Sequence, residues 1–275
     1  MKVVVINLDK SRDRMKNISD NLNNLNIPFQ RFSAIYGKDL TDTQIKENTT
    51  QLCRNFLCNF GIIGCAMSHT TIWKEFKNSE DDYICVMEDD AIINEKFPKL
   101  LLDIDIIYQQ TNFDFLSLFC IGMCSFSKDV NVNEYTLSKS LFPLSAVCYI
   151  LSKKGVKRLL TFIDKINYNI DYMIAYQNFF KGFDYYYLKS PNTITTNLDE
   201  SNIVDLCPKG LLNKTLSKLK ADKLKWVLNL PAFTINLRKS ITVYMILLLF
   251  LILFCMRKKY YFLMIIFTVE FILVF

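Results

Sequence analysis

At 275 residues the chain is long enough for one sizeable core, or one core with an appendage. Its composition, 51% hydrophobic and 14% aromatic, excludes a disordered chain. The net charge of +6 is modest and uneven: six lysines against one acid lie between Lys209 and Lys225, beside an apolar tail and with no recognition module, which argues against a nucleic-acid partner.

Lys2 to Leu8 reads as a first strand buried on both faces, and Ser11 then offers a helix cap ahead of Met15, Ile18, Leu22 and Leu25 at helical spacing. Pro28 ends that helix, and Phe29 to Ile35 returns as a strand, a βαβ opening that predicts a parallel sheet with right-handed crossovers. Thr41 and Gln44 have capping-box spacing. Gly61 and Gly64 flank a turn into a helix through Ile72, Trp73 and Phe76. The apolar run Tyr83 to Met87 reads as a buried strand, followed by a helix near Phe97 to Tyr108 and a strand over Phe113 to Cys120. Ala146 to Leu151 is another strand, with Ser152 capping a helix through Ile163. Asp171 opens a helix to Phe180, and Phe183 to Leu188 is the last strand. This alternation predicts an α/β fold to about residue 205.

The nine cysteines include no Cys-x-x-Cys pair, and the single histidine argues against a zinc site. An odd, unpatterned set and no secretory signal favour a reducing, cytosolic setting, with most thiols as small core residues.

The tail differs in kind. Leu212 to Leu228 reads as a basic amphipathic helix within a linker over 206–240. Two apolar runs follow, Ile241 to Met256 and Tyr260 to Phe275, separated by Arg257-Lys258-Lys259. As helices each reaches roughly 24 Å, short of a hydrocarbon core of about 30 Å. Glu270 and the flanking basic residues favour a hairpin in or on one leaflet over a span. The expectation is therefore membrane-associating helices over 241–275, placing the chain on the cytoplasmic face of the inner (plasma) membrane, with membrane lipids as partners.

Glu88-Asp89-Asp90 ends the Tyr83 to Met87 strand. Acids just past the carboxyl end of a strand stand where open α/β sheets bind ligands, and their hard oxygens suit Mg²⁺ or Mn²⁺ bridging a diphosphate. Packed this tightly, carboxylates repel one another unless a cation or proton offsets the charge.

Several motifs in order resemble glycosyltransferase family 25, the lipooligosaccharide glycosyltransferases typified by bacterial β-1,4-galactosyltransferases. Val5 to Arg14 is similar to the family's opening "INLxxSxxR" segment, and Gly61 to His69 with Trp73 to its "GxxGCxxSHxxxW" segment. Val86 to Ala91 resembles "xEDDx", Ala146 to Ser152 with Gly155 resembles "xxYxxSxxG", and Asn169-Ile170-Asp171 stands where the family has "pvD". Ser190-Pro191 to Ser201-Asn202-Ile203 resembles its closing segment. Asn169-Ile170 departs from the usual Pro-Val but leaves the carboxylate, and the hydrophobic hairpin is not a usual part of the catalytic unit.

The resemblance implies a GT-A-like, Rossmann-type single domain over 1–205 with a mostly parallel sheet, plus the C-terminal hydrophobic helical hairpin. It implies an inverting transfer of a hexose, galactose from UDP-galactose foremost, onto a lipooligosaccharide or other lipid-linked saccharide. Asp90 and Glu88 are the expected ligands of Mn²⁺ or Mg²⁺. Glu88 is alternatively a ribose partner, while Asp89 orients its neighbours or faces substrate. Asp171 is the expected essential carboxylate, as base or as sugar ligand. Asn7 and Leu8, with Arg12 and Arg14, are expected at the nucleotide and its diphosphate, and Ser68 and His69 beside them. The competing reading is a catalytically inactive family member acting as a membrane-bound scaffold subunit.

Overall fold

The computed structural model describes residues 1–124, 128–196, 231–235 and 239–274, together with Thr215 and Leu228. Residues 201–203 of the expected closing segment, and most of the expected basic helix, lie outside the described residues. The strands in chain order are β1 (Lys2–Asn7), β2 (Gln30–Ser33), β3 (Tyr83–Glu88), β4 (Ala91–Ile93), β5 (Phe115–Ser117), β6 (Ile121–Met123) and β7 (Val130–Val132). Then come β8 (Tyr135–Lys139), β9 (Phe142–Leu144), β10 (Cys148–Ser152), β11 (Tyr185–Ser190), β12 (Ile194–Thr196), β13 (Pro231–Ile235) and β14 (Lys239–Thr242). The helices before the tail are α1 (Arg12–Asn24), α2 (Asp42–Asn48), α3 (Phe60–Lys77), α4 (Phe97–Leu102), α5 (Ile104–Thr111), α6 (Lys153–Phe162) and α7 (Ile170–Lys181).

One eight-stranded sheet, ordered β2-β1-β3-β10-β5-β11-β8-β7, forms the centre. β1 runs parallel to β2 and β3, and β5 parallel to β11, while β10 lies antiparallel between β3 and β5 and β8 antiparallel between β11 and β7. Six of the eight strands therefore share one direction in a mixed sheet. The strand expected over Ala146 to Leu151 is one of the two reversed members, which periodicity alone does not reveal.

The strands nearest the centre are apolar throughout because helices cover both faces. Alternate residues of β1 divide between two cores. Val4 and Ile6 join Ile63, Trp73, Val86, Tyr149, Leu159 and Ile174 on one side. Val3 and Val5 join Ile18, Leu22, Met87, Phe97, Ile107 and Ile150 on the other. Each such side chain removed from water contributes roughly 1.5–3 kcal/mol.

Gly61 and Gly64 do not flank a turn: α3 begins at Phe60, capped by Asn59, whose side chain accepts from Ile62 N at 2.8 Å. Gly64 instead lets the helix lie against the backbone beneath it, since a Cβ there would stand 2.4 Å from the Ile35 carbonyl oxygen. The helix expected near Phe97 to Tyr108 is two helices, broken at Asp103. The expectation of thiols without disulfides also fails. Cys53 is bonded to Cys58 across the helical turn Cys53–Leu57, and Cys120 to Cys124, with Cα atoms 4.9 and 5.9 Å apart.

The apolar tail folds as a helical hairpin, Val243–Lys258 and Tyr261–Val274. Its one acid is accommodated by helix-on-helix packing: Glu270, 6% exposed, accepts a hydrogen bond from Tyr244 Oη at 2.8 Å. No helix among the described residues is long and apolar enough to cross a membrane. The hairpin buries Tyr244, Met245, Leu248 and Cys255 but leaves side chains such as Phe250, Phe254, Phe262 and Ile272 exposed, and at 16 and 14 residues its helices are too short to cross a bilayer. This overturns the expected localisation at the cytoplasmic face of the membrane through the tail.

Candidate active site

The carboxyl ends of β1 and β3 lie side by side, Ile6 opposite Glu88 in the register. The loops leaving them carry Asn7 to Arg14 and Glu88 to Asp90, the place where an α/β sheet of this kind opens to ligands. The reversed β10 begins at the same end, so the segment just before it borders the acids, and Glu88 N donates to Val147 O at 2.7 Å.

Asp89 is tied down. Asn7 Nδ2 donates to its Oδ2 at 2.7 Å and Arg14 Nη1 to its Oδ1 at 3.2 Å. Asn7 is itself committed: Nδ2 also donates to Ser11 O, and Oδ1 accepts from Arg31 Nε at 3.0 Å. Asn7 is 2% exposed, its side chain committed to Ser11, Asp89 and Arg31. Arg31, which holds Asn7 and also pairs with Asp9, has no counterpart in the motif reading. Arg12 is exposed on the first turn of α1, and Leu8 is half-buried beside it.

Glu88 and Asp90 are differently placed. Glu88 closes β3 and Asp90 lies in the turn beyond it, near enough for the Glu88 charge to act on Asp90. Burial, with repulsion from Asp89, raises the Glu88 carboxyl to about 7. Burial and the Glu88 charge raise Asp90 to about 8. Asp90 Oδ1 is buried with no hydrogen-bond partner, whereas its carbonyl accepts from Thr196 Oγ1 at 3.1 Å.

Asp171 joins them from the first turn of α7. Asn169 caps that helix, its Oδ1 accepting from Asp171 N at 3.0 Å, which fixes the backbone carrying the carboxylate. Burial, then the charge of Glu88, raises Asp171 to about 7, while the His69 ring and an N–H from Ala146 oppose the shift.

Behind the acids runs α3. Its spacing brings Cys65, Ser68, His69 and Trp73 to the sheet. Ser68 Oγ donates to Gly64 O and accepts from Ile35 N, both at ordinary lengths, and is 1% exposed. His69 is wholly buried, Nδ1 at 2.9 Å from Tyr149 Oη and Nε2 at 3.3 Å from Glu88 Oε1. Neither Ser68 nor His69 faces open space, and the polar atoms of both are engaged with neighbouring groups of the fold. Trp73 Nε1 donates to the same Tyr149 hydroxyl at 2.8 Å. Burial and the charges of Glu88, Asp171 and Asp90 push the Cys65 thiol well above its usual range, so it is no thiolate nucleophile. Among the described residues, ligating atoms of Cys65, His69 and Glu88 lie within 4.8 Å of one another.

The arrangement gathers three carboxylates with raised pKa values and too little positive charge, which favours a cation or the sharing of protons. Asp90 Oδ1 and a Glu88 oxygen form a hard-oxygen pair suited to Mg²⁺ or Mn²⁺.

Residues 1–174 match the model of glycosyltransferase family 25, described as an LPS biosynthesis protein. A Haemophilus influenzae relative is 32% identical over 167 residues, covering 58% of this chain and 56% of its own. The lipooligosaccharide biosynthesis protein lic2B of the same species is 26% identical over 179 residues, covering 60% and 64%. Procollagen galactosyltransferase 1-A of Xenopus laevis is 30% identical over 174 residues, covering 58% and 28%. The chain thus spans less than two thirds of each relative's length. Among solved structures, galactosyltransferase LgtC in complex with donor and acceptor sugar analogs overlaps with a TM-score of 0.38 at 11% identity, covering 67% of this chain and 73% of that one.

Proposed function

Because the chain belongs to glycosyltransferase family 25, we propose that it moves a hexose from a UDP-sugar, galactose foremost, to a saccharide acceptor of the lipooligosaccharide type, with inversion and with help from a divalent cation. The relatives' names support the sugar and the acceptor class: one acts in lipooligosaccharide biosynthesis and another is a galactosyltransferase. The transferase unit runs to about residue 205, and the helical hairpin is an appendage to it.

The observation that carries the reading is the trio Glu88, Asp90 and Asp171, raised together at the carboxyl end of the sheet, one member having a buried oxygen without a partner. Asp90 and Glu88 hold Mn²⁺ or Mg²⁺. When bound there the ion offsets the charge that develops on the departing diphosphate. Asp89, clamped by Asn7 and Arg14, fixes the turn that presents its two neighbours. Asp171 accepts the acceptor hydroxyl's proton as that oxygen bonds to the anomeric carbon and the bond to UDP breaks. A carboxyl raised to about 7 is a stronger base than an ordinary one and is still half-ionised at neutral pH.

The test is UDP release from a panel of UDP-sugars with Mn²⁺, Mg²⁺ or chelator, for wild type and Asp90→Ala. One donor should be turned over, only with metal. The substitution should cost about 100-fold, the rate equivalent of losing roughly 3 kcal/mol of Lewis-acid stabilisation. Release indifferent to both chelator and substitution would remove the cation from the reading. Silence with every donor, across a set of saccharide acceptors, would leave the inactive scaffold as the better account.

A further inference from the structure

The hydrogen bonds behind Glu88 have a direction, and the residue at the far end sets it. An indole N–H can only donate. Trp73 Nε1 therefore donates to Tyr149 Oη at 2.8 Å, which leaves the tyrosine its own proton to place. Among the described residues that hydroxyl has one acceptor, His69 Nδ1 at 2.9 Å. A neutral imidazole that accepts at Nδ1 carries its hydrogen on Nε2. Nε2 in turn stands 3.3 Å from Glu88 Oε1. Trp73, Tyr149 and His69 are all completely buried, so water cannot scramble the order.

We propose that His69 is a positioning residue: Trp73 and Tyr149 lock it as the Nε2–H tautomer, and it donates that hydrogen to one oxygen of Glu88 so that the other is aimed toward Asp90. This rests on the glycosyltransferase reading for the ion the two carboxylates share. In many metal sites a carboxylate orients a ligating histidine; here the histidine orients the carboxylate. The same geometry bears on Cys65, whose sulfur shares the 4.8 Å neighbourhood with His69 and Glu88. A softer ion held by thiolate and imidazole would need Nε2 stripped of its hydrogen. The tautomer therefore separates a proton relay from a second metal site.

The chain has a single histidine, so ¹⁵N-histidine labelling of the full-length protein reports this ring alone. At pH 7 without metal, the nitrogen shifts and couplings should be those of a neutral Nε2–H ring, and Mg²⁺ should leave the tautomer unchanged. Tyr149→Phe should release the lock and mix the two tautomers. In metal titrations of activity, His69→Leu should raise the half-saturating Mn²⁺ concentration by about 10–100-fold. His69→Gln, which keeps an N–H donor of similar reach, should recover most of that loss. A wild-type ring protonated on Nδ1, or doubly protonated, overturns the proposal. Loss of the Nε2 hydrogen on adding Zn²⁺ replaces it with the thiolate–imidazole site. Equal defects in the Gln and Leu variants reduce His69 to packing. The wild-type spectrum needs neither variant nor substrate. An Nε2–H ring in a protein that turns over no donor would therefore count against the glycosyltransferase reading and leave the relay standing.

Discussion

The two ends of the central sheet each gather carboxylates, one fully buried at the amino end and three half-buried at the carboxyl end, and they treat them in opposite ways. At the amino end of β5, Asp114 is completely buried, yet it accepts from Arg158 Nη1 and from Asp184 N at 2.9 Å, with Lys154 Nζ 3.4 Å away. Two cations and a backbone donor compensate one acid, and the cluster ties α6 to the starts of β5 and β11. At the carboxyl end Glu88, Asp90 and Asp171 lie together, the nearest arginine is bound to Asp89, and all three are raised. Burial by itself therefore does not mark a site. A buried acid offset by fixed cations is architecture. Half-buried acids left to repel one another imply a partner that comes from outside.

The contrast can be broken most sharply at Asp171. Asp171→Asn should lower sugar transfer by at least about 100-fold, the usual contribution of a positioned base, while the melting temperature holds or rises. In wild type, the transfer rate should climb with pH to a plateau above about 7, the limb on which Asp171 ionises. A variant with unimpaired transfer would take Asp171 out of the chemistry. Asp114→Asn should do the reverse. It should cost about 2–3 kcal/mol in denaturant unfolding, the range for hydrogen bonds to charged groups, with turnover per folded molecule unchanged. Lost turnover at full stability would erase the distinction between the two ends.

The smallest effect is one of pH. Glu88, Asp90 and Asp171 all hold protons more tightly when folded than unfolded. Their contribution to stability is thus fully present below the ordinary carboxylate range. It is lost as pH rises through about 7 to 8, because the unfolded chain has by then released protons that the folded chain still binds. Metal-free protein should melt a few degrees lower at pH 8 than at pH 5, and Mn²⁺ should restore more at pH 8, since it binds the ionised acids. A melting temperature that rises between pH 5 and 8 without metal would mean the acids are already compensated.

Much of the site's chemistry was legible locally. The apolar run before Glu88 and Asp90 placed the acidic turn at a strand end. The Thr41 capping box and the Ser152 cap formed as their spacing predicts. Less was legible where partners are remote. Nothing near Asn7 or Ser68 announces that their polar groups are spent on Arg31, Asp89, Ile35 and Gly64. Tyr149 read as a core residue of a strand, and only the crossing of β10 beneath α3 makes it the link between Trp73 and His69. The tail pattern was readable as two helices, but nothing in it announces that Tyr244 meets Glu270 across the hairpin.

The sequence by itself determined the α/β alternation, the acidic turn at a strand end and the two-helix tail, because each depends on neighbours within a few residues. The tertiary structure alone decided the reversal of β10, the clamping of Asp89 by Asn7 and Arg14, the unpartnered Asp90 Oδ1 and the approach of His69 to Glu88. Those depend on which groups, dozens of residues apart in the chain, are brought within hydrogen-bonding distance in a space too small for water to satisfy them instead.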